Sequence, residues 1–170
     1  MQADSVAQVV LRRLQVSDLR AFQAYRSDPV VARYQGWKAQ SDAEASAFLA
    51  EMRTAAFFQP GKWTQIGIAG GDGHLMGDIG VLLARDGREA EIGFTLRRES
   101  QGHGHGTAAV RLAIDLIFEQ TGARRILGIT DARNLASVRV LQSVGMSMIE
   151  SRGGITEDEP CIEHVYALSR

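Results

Sequence analysis

Gln101-Gly102-His103-Gly104-His105-Gly106-Thr107 lies between a strand-like segment that ends at Leu96 and a segment whose apolar residues recur with helical spacing from Val110. Glycine reaches φ angles closed to other residues and lets the backbone approach a ligand, so several N–H groups of such a loop can converge on one space. A helix beginning near Thr107 adds its unpaired first-turn N–H groups and the positive end of its dipole. The chemistry this arrangement offers is the binding of a phosphate or diphosphate. Many glycine-rich stretches are plain connectors, but the strand, loop and helix order is the one a phosphate loop requires. His103 and His105 do not turn the loop into a metal site, because zinc needs a third and fourth ligand that nothing nearby supplies. No metal is expected.

Three kinds of phosphate loop compete. A Walker loop needs Gly-Lys followed by Ser or Thr, and no lysine occurs after Lys62. Gly104-x-Gly106-x-x-Ala109 fits a dinucleotide fingerprint, and Asp131 stands where a ribose-binding acid would end the next strand. Against that reading, a polar stretch separates strand from loop, the preceding strands read as a meander, and too little chain follows Ala109 for the rest of a Rossmann domain. The third kind is Q-x-x-G-x-G, matched by Gln101, Gly104 and Gly106.

The elements that must position this loop are legible in outline. Val9 to Leu14 reads as a first strand, followed by a helix with Ser17 as its cap and Leu19, Phe22 and Tyr25 on one face. Asp28-Pro29 restarts a short helical turn. Ser41 and Glu44 form a capping box for a helix expected to run to about Phe58. Strands are predicted at Trp63 to Ala69, Leu75 to Leu83 and Glu89 to Leu96, joined by Gly- and Asp-rich turns. After the loop come a helix closed at Thr121-Gly122, a strand Arg125 to Thr130, a helix from an Asn134 cap to Gly145, and two strands near Met146 to Ser151 and Cys161 to Leu168. That order implies an α/β (α+β) fold: a mixed, mostly antiparallel sheet with helices on both faces and one parallel pair introduced by the helical crossover.

The 170 residues, 45% hydrophobic and 23% charged, suit one globular domain spanning 1–170. A formal charge of −1 gives no global field for a polyanion, so nucleic acid is not an expected partner. Apolar runs such as Val81 to Ala84 are far too short to span a membrane, and the single cysteine, Cys161, allows no internal disulfide. A cytoplasmic location is the expectation.

Taken together, Tyr25 to Val30 through Trp37, Met76 to Gly80, Glu91 to Phe94, the Gln/Gly loop, and Asn134 to Ser137 before Leu141 and Gly145-Met146 resemble the GNAT superfamily of acyl-CoA N-acyltransferases, and more narrowly its RimJ/RimL-like branch. The resemblance implies that Gln101, Gly102, His103, Gly104, His105, Gly106 and Thr107 wrap the diphosphate of acetyl-CoA, with the two imidazoles along its phosphates. It implies that Phe94, Thr95 and Leu96 bind the pantetheine amides on a strand that splays from the following parallel strand, whose Ile129-Thr130 end forms the other wall of the slot. Asn134 and Ser137 match the family's N-x-x-S, where the asparagine contacts the cofactor and the serine lies near the sulfur as a proton donor. Leu141 stands where many superfamily members have a tyrosine acid, which leaves that role to Ser137. Asn134 is equally well placed to be nothing more than a helix cap.

The implied reaction is acetyl transfer to a primary amine, a protein N-terminus or a small molecule, by direct attack in a ternary complex. Such an amine is mostly protonated at neutral pH, so a general base is useful. Glu91 is the favoured candidate, with Asp78 in reserve. Glu91 can instead be an ordinary solvated strand carboxylate. Tyr34, Trp37 and Trp63 are candidates for the acceptor pocket, or for core packing. Acceptor identity is expected to lie in the loops around Tyr34 to Trp37 and Gly153 to Pro160. A silent CoA-binding module is the alternative from another class, and an exposed sheet edge could pair two protomers as a homodimer.

Overall fold

The computed structural model describes residues 8–156 and 158–170. Seven strands form one sheet in the order β1-β2-β3-β4-β5-β7-β6. They are β1 (Val9–Arg12), β2 (Trp63–Gly70), β3 (Leu75–Leu83), β4 (Glu89–Leu96), β5 (Arg125–Asp131), β6 (Ser147–Thr156) and β7 (Glu159–Ser169). Every neighbouring pair is antiparallel except β4 and β5. The mixed sheet expected from the crossover is therefore present, and its single parallel pair excludes the dinucleotide-binding reading, which needs a run of parallel strands.

Alternation along the strands builds two cores. Ile66, Ile68, Ile79, Val81 and Ile92 face one side, where they pack against Val110, Ala113, Ile114 and Ile117 of α4 (His105–Gln120) and Leu141 of α5 (Leu135–Ser143). On the opposite side α1 (Leu19–Arg26), α2 (Pro29–Ala32) and α3 (Asp42–Thr54) bury Phe22, Tyr25, Val31, Leu49 and Met52 with Leu14 and Leu75. The helices thus cover both faces.

Local chemistry fixes most boundaries. Asp28 accepts from Val30 N–H at 3.0 Å, and Ser41 and Glu44 close the anticipated capping box at 3.2 and 2.8 Å. Other boundaries depart from expectation. Ser17 caps nothing: a 3-10 turn, Val16–Asp18, starts earlier because the Asp18 carboxylate accepts from Gln15 N–H and pairs with Arg12. α3 stops at Thr54 rather than near Phe58, since Arg13 takes the Ala55 carbonyl at 2.7 Å and lies 4.2 Å from the Phe57 ring centroid. The α4 end is closed by the Thr121 hydroxyl donating to Ile117, not by Gly122 in a left-handed conformation. Gly153 to Pro160, expected as a loop, belongs largely to the β6–β7 hairpin, where Gly154 faces Cys161.

Gly77 decides how close β3 and β4 lie near the strand split. A Cβ there would collide with the Thr95 carbonyl oxygen. Because the obstacle is backbone, Gly77→Ala is expected to cost about 3 kcal/mol or more, read as a lower urea midpoint at unchanged slope.

Candidate active site

β4 and β5 pair only from Glu89/Arg125 to Ile92/Gly128. Beyond that point β4 continues to Leu96 on β3, while β5 continues to Asp131 on β7. The two strands therefore part, and from Gly93 onward their facing backbone groups are released from the ladder. Phe94 and Leu96 point to the α4/α5 face. Glu91, Gly93 and Thr95 point to the α1/α3 face.

Two cavities meet at this split. One, about 320 Å³, lies on the α4/α5 side and is lined by Phe94, Thr95, Leu96, Gln101, Gly102, Gly104, Gly106, Thr107, Asn134 and Ser137. The other, about 710 Å³, passes through the split to the opposite face, where Arg26, Tyr34, Trp37, Asp131 and Glu163 line it. Phe94, Asn134, Ser137, Tyr34 and Gln35 belong to both.

The loop is shaped as an anion cradle. Gly102 and Gly104 have φ of 78° and 80°, values that disfavour a side chain, and open space stands where their Cβ atoms would be. Gly104 caps α4, and the first intrahelical bond runs from Ala108 N–H to the Gly104 carbonyl at 3.0 Å. The N–H groups of His105, Gly106 and Thr107 are consequently the unpaired first turn of a 16-residue helix. Gly106 also allows α5 to approach: its Cβ would meet Val140 at 3.3 Å and Leu96 at 3.4 Å. Gln101 is turned inward, its Nε2 donating to the Leu96 carbonyl at 2.9 Å, so it ties the loop to the end of β4. His103 and His105 line neither cavity. They stack at 5.8 Å, and His105 Nδ1–H donates to the Ser100 carbonyl at 3.1 Å.

Asn134 Oδ1 accepts from Ser137 N–H at 3.2 Å, so the cap is real, and the residue also faces both cavities. Asn134→Ala is expected to destabilise the fold by about 1 kcal/mol, whereas Asn134→Asp keeps the acceptor oxygen and most of that stability. Thermal denaturation of the two variants separates capping from ligand binding. Leu141, without a phenol, fills the space over Gly128, whose absent Cβ would lie 2.5 Å from a Leu141 methyl group.

Glu91 is half-buried on the α1/α3 face, one same-face position before the split, about 7 Å from Gly93 along the strand. Burial raises its pKa above the ordinary value; Arg152 opposes that, and Glu163 and Glu89 reinforce it. Asp78 is committed elsewhere. Its carboxylate accepts from Tyr25 Oη, from Arg26 Nη2 at 3.1 Å and from Gln65 Nε2 at 3.2 Å. Asp131 is likewise held by Arg133, which lowers its pKa chiefly through their hydrogen bonds. Tyr34 and Trp37 line the larger cavity, while Trp63 borders a neighbouring groove with Gln65 and Phe48.

Sequence reasoning missed Arg26, Asp131 and Glu163 as cavity residues. Only the α1–β3 and β5–β7 contacts bring them together, although Arg26 was inside a segment singled out for its resemblance. Among the described residues, no His, Cys, Asp or Glu cluster could hold a metal, and no helix is long and apolar enough to cross a membrane.

The site combines a sheet with one splayed parallel pair, a glycine loop feeding a helix beside it, and cavities opening on both faces. The family model of the acetyltransferase (GNAT) domain matches residues 8–147, and the chain belongs to that family of acetyl-CoA-dependent N-acetyltransferases. Uncharacterized N-acetyltransferase YoaA of Bacillus subtilis strain 168 is 29% identical over 139 residues, covering 81% of this chain and 78% of its own. A GNAT-family acetyltransferase from Bacillus anthracis has a similar structure, with a TM-score of 0.83, 20% identity and 96% of each chain covered. Mycobacterium smegmatis RimJ, solved in complex with CoA-disulfide, gives a TM-score of 0.79 at 19% identity over 96% of this chain and 83% of its own.

Proposed function

We propose that residues 1–170 act as one RimJ/RimL-like catalytic domain that moves an acetyl group from acetyl-CoA to a primary amine by direct attack. The observation that carries this reading is the split between β4 and β5, with one cavity entering it from the glycine loop and a second from the opposite face. Acetyl-CoA supplies a thioester whose C–S bond breaks as the new C–N bond forms.

Each residue's part follows from its place. The Gly102 to Thr107 backbone holds the diphosphate, and Gln101 holds the loop against β4. Backbone groups of Phe94, Thr95 and Leu96 hold the pantetheine amides, and a free N–H of β4 beyond the split polarises the acyl carbonyl. Glu91 accepts the proton lost by the amine. Ser137, between the two cavities, relays a proton to the departing thiolate and takes one back from solvent, and Asn134 holds Ser137 in place. Tyr34, Trp37 and Trp63 border the acceptor's approach.

The test is the release of free CoA from acetyl-CoA in the presence of a panel of primary amines. Release that requires an amine and yields its acetamide supports the reading. Acetyl-CoA binding with no transfer to any amine would instead identify a CoA-binding module.

A further inference from the structure

The larger cavity has an uneven charge distribution. Asp131, Asp158 and Glu163 stand on the β5 and β6–β7 side, and Arg26 and Lys38 on the side of α1 and the segment after α2. Among these, Asp131 is paired with Arg133, Glu163 with Arg152, and Arg26 with Asp78. Lys38, in the segment after α2, and Asp158, between β6 and β7, take part in no ion pair among the described residues.

Arg26 is unusually constrained. Its guanidinium lies 4.6 Å from the Phe22 ring centroid and 4.5 Å from that of Trp37, within cation–π reach of both. Nη2 donates to both Asp78 oxygens at 3.1 Å, and the side chain is only 10% exposed. Nε is buried and has no hydrogen-bond partner among the described residues. A buried donor left unpaired is costly, and here the residue that carries it lines the acceptor cavity beside Gly93 and Phe94. Asp78 cannot relieve it, since Tyr25 and Gln65 already share that carboxylate.

We propose that the acceptor carries a carboxylate close to its amine, and that Arg26, assisted by Lys38, reads that carboxylate. This inference rests on the acetyltransferase function proposed above and narrows its acceptor. A small zwitterion of the amino-acid type matches both walls: its carboxylate meets the guanidinium edge and Lys38, and its amine lies toward the acidic wall and Glu91. A polyamine offers no oxygen to Arg26 and sets a cation against two others. Planarity makes arginine better suited than lysine to hold a carboxylate in one orientation.

The test compares three acceptors with one side chain: an amino acid, its amide and the decarboxylated amine, with kcat/KM expressed per neutral amine. Wild-type protein should favour the amino acid over the decarboxylated amine by about 10- to 100-fold. Arg26→Lys, which keeps a charge but loses the planar guanidinium, should bring that ratio toward one. So should Arg26→Gln combined with Asp78→Asn, which avoids leaving a buried carboxylate alone; circular dichroism checks that each variant is folded. A wild-type ratio near one, or a ratio that survives in both variants, overturns the inference. An amide used as well as the amino acid overturns the assignment of a carboxylate. Failure to acetylate any amine overturns the acetyltransferase function itself, and this inference with it, whereas transfer indifferent to the carboxylate overturns the inference alone.

Discussion

Glu91→Gln is expected to lower kcat/KM by about 10²- to 10³-fold while raising the melting temperature. The two effects have one source. Burial makes the ionised carboxylate less favourable in the folded protein, so the folded-state pKa lies above the unfolded value. A carboxyl shifted upward binds more protons when folded, and stability falls as pH rises through the interval between the two values. At neutral pH the ionised group therefore costs stability, and the neutral amide removes that cost. The raised pKa also brings the base closer to working pH, where proton transfer from an ammonium-derived amine is more favourable. In the wild type kcat/KM should rise with pH through the Glu91 pKa, and this acidic limb should vanish in the variant. A solvated bystander carboxylate gives neither result: activity, melting temperature and pH profile all stay within error of wild type.

How much of this was legible in the sequence depends on whether the signal was local. The Ser41/Glu44 box, the Asp28-Pro29 start and the Asn134 cap are short-range patterns whose hydrogen bonds span two or three residues, and all three appear as anticipated. The position of the split was legible too, because the meander and the single crossover leave β4 and β5 as the parallel pair. Misplaced boundaries were settled by distant partners. Arg13 ends α3 from 42 residues away, and a paired edge strand absorbs Gly153 and Gly154 although both glycines read as loop. Asp78 illustrates the same limit: nothing local shows that Tyr25, Arg26 and Gln65 would surround its carboxylate and donate to it. Arg26 and Glu163 reach the larger cavity through tertiary packing, which periodicity does not encode.

Gly104→Asp is expected to weaken acetyl-CoA binding by about 10- to 100-fold relative to Gly104→Asn. The pair is chosen because both side chains tolerate the left-handed backbone better than other residues, and φ at this position is 80°. Nothing lies within 4 Å of the site a Cβ would occupy, so neither side chain clashes. The remaining difference is charge. A carboxylate roughly 5 Å from a diphosphate, at an effective dielectric near 20, costs about 3 kcal/mol, and exposure reduces this to the stated range. Isothermal titration with acetyl-CoA at two salt concentrations measures it, with the gap between Asp and Asn narrowing as salt rises. Equal affinities for the two variants would show that the diphosphate does not lie at the start of α4.

A crystal structure with CoA bound tests the central claim most directly. The diphosphate should accept hydrogen bonds from main-chain N–H groups between Gly102 and Thr107, with the pantetheine arm passing Phe94 and Thr95 and its sulfur reaching the space between β4 and β5 next to Ser137. An ordered CoA that leaves this loop uncontacted, or a thiol that ends away from the strand split, would contradict it.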